Sequence, residues 1–126
     1  MKKFNVTKTD PNKIKLLEVF DNSFPEREYL IVHKANEFTS VCPKTGQPDF
    51  GIITISYIAK TKCVELKSLK YYLQSFRNEG IFYENVINKI LEDLTAVTDP
   101  KWMEVKGDFT IRGGLQSTVI AVFESD

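Results

Sequence analysis

Leu66 to Val97 reads LKSLKYYLQSFRNEGIFYENVINKILEDLTAV, and its apolar residues recur at intervals of three and four. Leu66, Leu69, Leu73 and Phe76 form one stripe of a helix that ends near Gly80, a residue suited to the left-handed conformation after a helix. Lys67, Lys70, Gln74 and Arg77 form an adjacent stripe at the same spacing. A second helix is predicted from about Tyr83 to Val97, with Val86, Ile87, Ile90, Leu91, Leu94 and Val97 inward and Asp99-Pro100 ending it.

On both flanks of this pair the pattern is that of strands. Glu28 to Lys34 (EYLIVHK) and the β-branched run Gly51 to Ile58 (GIITISYI) are predicted strands. Between them Cys42 to Phe50 (CPKTGQPDF) holds Pro43, Gly46 and Pro48, which read as a loop. After the helices, Met103, Val105, Gly107 and Phe109 alternate with Glu104, Lys106 and Asp108, and Leu115 to Phe123 is apolar on both phases. Arg112-Gly113-Gly114 makes the turn between them. The order ββααββ specifies an α+β domain over residues 28–126: a four-stranded antiparallel sheet with two helices on one face. Residues 1–27, with Pro11, Pro25 and one apolar patch from Ile14 to Phe20, read as an arm over the core. Such a small sheet has long edges, which joining sheets between subunits of a ring would cover.

At 126 residues, 42% apolar and 27% charged, the chain has the composition of one globular domain. Seventeen basic residues balance seventeen acidic ones, so no overall field draws it to a nucleic acid or a membrane. MKKFNVTKTDPNK lacks an apolar region behind its lysines, which points to the cytoplasm. Cys42 and Cys63 form no C-x-x-C, and His33 is the only histidine, so no zinc site is expected. No G-x-G-x-x-G follows a strand, which excludes a Rossmann dinucleotide site.

Each candidate functional residue has a structural alternative. Cys42, in a Pro- and Gly-rich loop, is a nucleophile or a packing thiol. Asp49 is a general acid folded back toward it or an Asx-turn cap. Lys67, Lys70 and Arg77 are phosphate donors or a solvated helix face. Glu65 and Glu84, at helix starts, are caps or receptors for the N–H edge of a purine-like ring. Phe82 and Tyr83 stack on a flat ligand or on their own core. Arg112 reaches a ligand phosphate or decorates a hairpin.

Together, Cys42–Phe50 (CPKTGQPDF) and Glu65–Tyr71 (ELKSLKY) resemble the two signatures of the single-domain 7-cyano-7-deazaguanine reductases, the NADPH-dependent nitrile reductases of queuosine biosynthesis. The second matches E-[SL]-K-[SA]-x-K-[LYFW] at every position. The resemblance implies the tunnelling fold (T-fold). It implies Cys42 as the nucleophile that forms a thioimide and Asp49 as the acid that protonates the nitrile nitrogen. Glu84 and Glu65 are then carboxylates of the deazaguanine pocket, with Leu66 and Phe82 beside them, and Lys67, Lys70 and Arg112 hold NADPH. It further implies a site between subunits of a pentameric ring, commonly stacked as a decamer. Where the family often has His-Glu before the second helix, this chain has Tyr83-Glu84, and tyrosine, with a reference pKa of about 10, is a proton donor far less readily charged than histidine. Two other readings are an amidinotransferase that forms the same thioimide on tRNA and a non-catalytic purine-binding module; the lysine signature and the zero net charge disfavour the first.

Overall fold

A computed structural model describes residues 10–126. In chain order it contains a 3-10 turn at Lys13–Leu16, strands β1 (Val19–Asp21), β2 (Ile31–Val41), β3 (Pro48–Ile58) and β4 (Lys62–Val64), helices α1 (Leu66–Gln74) and α2 (Tyr83–Thr98), and strands β5 (Trp102–Phe109) and β6 (Thr118–Glu124). The main sheet is antiparallel throughout, in the order β2-β3-β5-β6. Both helices cover one face of it, α2 over β5 and β6 and α1 nearer β2. Ile53, Ile55, Tyr57, Met103, Val105 and Phe109 point inward from the sheet to meet Val86, Ile87, Ile90 and Leu94 of α2. The expected α+β architecture is therefore present. β1 and β4 add a separate two-stranded ribbon.

The hairpin of β2 and β3 differs from its sequence reading. The pairing steps from Ala35–Ile53 to Phe38–Gly51, so β2 carries one residue more than its partner, a β-bulge. Ile31, His33 and Ala35 face the core side before the step, and Phe38 and Ser40 after it. A strand that changes phase has no single alternation to detect, which is why the expected strand stops at Lys34. The predicted loop is also shorter, because Pro48, Asp49 and Phe50 belong to β3. Proline is tolerated there because it opens the strand, where a missing donor costs least.

The helices differ at their ends. α1 stops at Gln74, well short of Gly80. Leu66, expected inward, is exposed, since helical side chains tilt toward the N-terminus and Leu66 opens the helix. Tyr72 takes a fully buried place instead. α2 buries Asp93, which is matched by the Tyr72 hydroxyl at 2.6 Å and the Lys89 ammonium at 3.0 Å. Its left-handed terminal residue is Asp99, at φ 46°.

Residues 10–27 of the expected arm are stitched to the domain. Val19 pairs with Val64, Leu17 is buried, and the Glu18 N–H donates to the Ser68 hydroxyl. Lys13 is buried too, 3.2 Å from the Glu79 carboxylate and 4.6 Å from the centre of the Phe76 ring. Residues 1–9 of that arm lie outside the described residues.

Candidate active site

Cys42 begins the turn between β2 and β3. Its N–H donates to the Gln47 carbonyl at 2.8 Å, and the Gly46 N–H donates back to the Cys42 carbonyl at 2.9 Å. Gly46 sits at φ 72°, where a side chain is strained. Just before the turn, Val41 is held on its other side: its N–H donates to the Glu79 carbonyl and its carbonyl accepts from the Ile81 N–H. This bridge places the start of α2 beside the cysteine. The Cys42 thiol is held below its ordinary pKa, chiefly by a hydrogen bond from the Thr45 hydroxyl; partial burial and the charge of Asp49 oppose the effect. A lowered thiol pKa enlarges the thiolate fraction at neutral pH.

Asp49, the second residue of β3, is buried. The Tyr83 hydroxyl donates to its Oδ1 at 3.1 Å, and Arg112 Nε lies 3.4 Å from the same oxygen. Arg112 also donates to the Pro48 carbonyl. It is aimed by a tight turn in which Gly113 and Gly114 both have positive φ, with Arg112 and Leu115 bonded to each other across it. Tyr83 lies flat on Phe109, ring centres 3.7 Å apart and planes 6° from parallel. Burial, then the charge of Asp49, pushes the Tyr83 hydroxyl up to about 12, so it is a neutral donor at pH 7. Cys42, Asp49, Phe82, Tyr83, Glu84 and Arg112 line one pocket of about 280 Å³.

The remaining expected residues lie elsewhere. Glu65, Leu66, Lys67 and Lys70 line a separate groove of about 1040 Å³ between α1 and the Val32–Thr39 part of β2, and the two hollows share no residue. Lys34 and Arg77 join this groove, making four cations against the acids Glu37 and Glu65. The Glu65 carboxylate caps α1, accepting from the Lys67 and Ser68 N–H groups at 2.7 and 2.8 Å. Arg112, expected with these lysines, is instead at the Asp49 pocket, because the β5–β6 turn folds over the start of β3. The sequence reading missed Thr45, which bonds the Cys42 thiol, and Phe109, on which Tyr83 lies; both carry only ordinary loop and strand signals.

No group of three or more His, Cys, Asp or Glu suited to a metal ion occurs among the described residues. No helix among them is long and apolar enough to cross a membrane.

A sequence model described as QueF-like protein matches residues 48–126. The NADPH-dependent 7-cyano-7-deazaguanine reductase of Chlorobium luteolum is 60% identical over 107 residues, covering 85% of this chain and 92% of its own. This chain belongs to the QueF-like family. The reductase of the same name from Chloroherpeton thalassium is 56% identical over 114 residues, covering 90% of the QueF-like chain and 98% of its own. Among solved structures, the archaeosine synthase QueF-Like in its apo form superposes with a TM-score of 0.72 at 23% identity, over 77% of this chain and 95% of that one. At that identity the likeness is one of fold, and it places the QueF-like chain in the tunnelling-fold architecture.

Proposed function

We propose that this chain reduces the nitrile of 7-cyano-7-deazaguanine to the aminomethyl group with NADPH, the step that queuosine biosynthesis requires. The observation that carries the reading is a thiol of lowered pKa sharing a pocket with a buried, hydroxyl-bonded carboxylate. The Cys42 thiolate attacks the nitrile carbon; as the C–S bond forms, one π pair moves to nitrogen, and Asp49 supplies its proton to give the thioimide. NADPH, when bound, would supply one hydride in each of two rounds; with one further proton these take the thioimide to the amine, and the C–S bond breaks to return the Cys42 thiolate. Tyr83, a neutral hydroxyl beside Asp49, is placed as the donor for the proton that reduction of the thioimide consumes. Glu84, exposed at the first turn of α2 beside Phe82, is placed to take the amino and ring N–H groups of the deazaguanine while Phe82 covers its face. A carboxylate in that position rejects bases lacking those donors.

The α1 groove fits a phosphorylated dinucleotide in its chemistry, since Lys67, Lys70, Lys34 and Arg77 present cationic donors along one wall. Its separation from Cys42 supports a homo-oligomer in which the groove of one copy meets the thiol of another. The open edges of β2 and β6, with Val32, Ile120 and Val122 exposed, are the surfaces such a ring would join. A pentamer, or a decamer of two rings, is the assembly this reading favours, acting in the cytoplasm on a small molecule without contacting nucleic acid.

Mixing the protein with the nitrile and NADPH should consume NADPH absorbance at two equivalents per nitrile. An amidinotransferase or a non-catalytic module leaves the absorbance unchanged, and that outcome would end the reductase reading. The Lys67→Ala/Lys70→Ala variant should bind NADPH more weakly, with a smaller salt dependence, yet still form the covalent adduct. Mixed and reassembled with Cys42→Ala subunits, it should regain reduction, because each copy contributes the half that the other lacks. Unchanged NADPH affinity would remove the lysine row from the site.

A further inference from the structure

The Ser40 hydroxyl is fully buried and is the one buried side-chain oxygen or nitrogen without a hydrogen-bond partner among the described residues. Its place is specific, since Ser40 stands directly opposite Asp49 in the β2–β3 register and both are buried. Opposed residues share a face of the sheet, with Cβ atoms about 4.5–5.5 Å apart. The bulge after Ala35 creates this arrangement, because without the phase change Ser40 would point away from Asp49. A buried hydroxyl with no partner costs stability, so leaving one beside the acid calls for a compensating role.

The neighbours of Asp49 suggest what that role is. Arg112 can only donate and the Tyr83 hydroxyl is engaged as a donor to the same Oδ1, so neither accepts the O–H of the protonated acid, whereas a serine hydroxyl donates to the carboxylate and accepts from the acid. We propose that Ser40 is a positioning residue for Asp49: its hydroxyl accepts from the Asp49 carboxyl before the proton leaves for the nitrile nitrogen, and then turns to donate to the carboxylate that remains. The inference rests on Asp49 being the acid of the proposed reaction. Ser40 does not line the Cys42 pocket and acts only through Asp49.

A double-mutant cycle on the full-length protein tests this, with nitrile added in the absence of NADPH, adduct formation followed by intact mass, and Tm measured alongside. Ser40→Ala should slow adduct formation about ten- to a hundredfold, the effect of losing a hydrogen bond to a charged group, while Tm stays level or rises. Asp49→Asn should slow it further, and adding Ser40→Ala to Asp49→Asn should change nothing more. A wild-type rate in Ser40→Ala, or the same fold slowing in both backgrounds, would overturn the role of Ser40 and leave Asp49 in place. A wild-type rate in Asp49→Asn would instead overturn the acid and Ser40 with it.

Discussion

Cys42→Ala should form no covalent adduct with 7-cyano-7-deazaguanine and reduce none of it, whereas the wild-type chain without NADPH should gain the mass of the nitrile. Cys63→Ala should behave as wild type, because Cys63 is only 4% exposed, in the middle of β4, and does not line the pocket. In the proposed reaction the thiolate carries the attack, and alkylation of Cys42 by iodoacetamide should reach half its maximal rate at a lower pH than a free thiol, whose pKa is about 8.5. The sign follows from the hydrogen bond of Thr45, which stabilises the charged form, and Thr45→Val should move that midpoint upward. An adduct that persists in Cys42→Ala and disappears in Cys63→Ala would reverse the assignment.

Tyr83→Phe should leave the adduct intact and slow its reduction by about 10²–10⁴-fold, the usual loss on removing one acid–base group. The substitution is clean, because the phenyl ring can keep its place on Phe109 and only the hydroxyl 3.1 Å from Asp49 is lost. With its pKa pushed up to about 12, Tyr83 serves as a donor across the working range and adds no titration of its own. Tyr83→His should restore a donor and bring in a pH dependence between about 5 and 8. Single-turnover decay of the preformed adduct on adding NADPH separates this from binding. Reduction of the Tyr83→Phe adduct at wild-type rate would leave Tyr83 as a packing residue and withdraw its part in proton transfer.

Much of the fold was legible because its elements keep one period each. Met103, Val105, Gly107 and Phe109 are buried as the alternation requires, and Val86, Ile87, Ile90 and Leu94 form the inner face of α2 as the helical spacing requires. The errors fall where a second constraint intervenes. Leu66 belongs to the stripe by spacing and is exposed by its place in the first turn, and Asp93 breaks the apolar face because Tyr72 and Lys89 match it. β1 and β4, of three residues each, pair across 41 to 45 positions of sequence and have no local pattern to betray them.

The site divides in the same way. The CPKTGQPDF and ELKSLKY runs and the Phe82-Tyr83-Glu84 triplet carry the resemblance on which the proposed chemistry rests, because they fix which functional groups are present and at what spacing. Sequence also carries the family, the composition of one domain and the helix pair that roofs the sheet. What it cannot carry is which of those groups meet. The bulge in β2 turns Ser40 toward Asp49, the clasp of Val41 between Glu79 and Ile81 brings α2 to the cysteine, and the Gly113-Gly114 turn swings Arg112 to the acid and away from the lysines. Each is a contact between segments far apart in the chain, made by backbone hydrogen bonds and register that the whole sheet must close together, and so only the tertiary structure decides them.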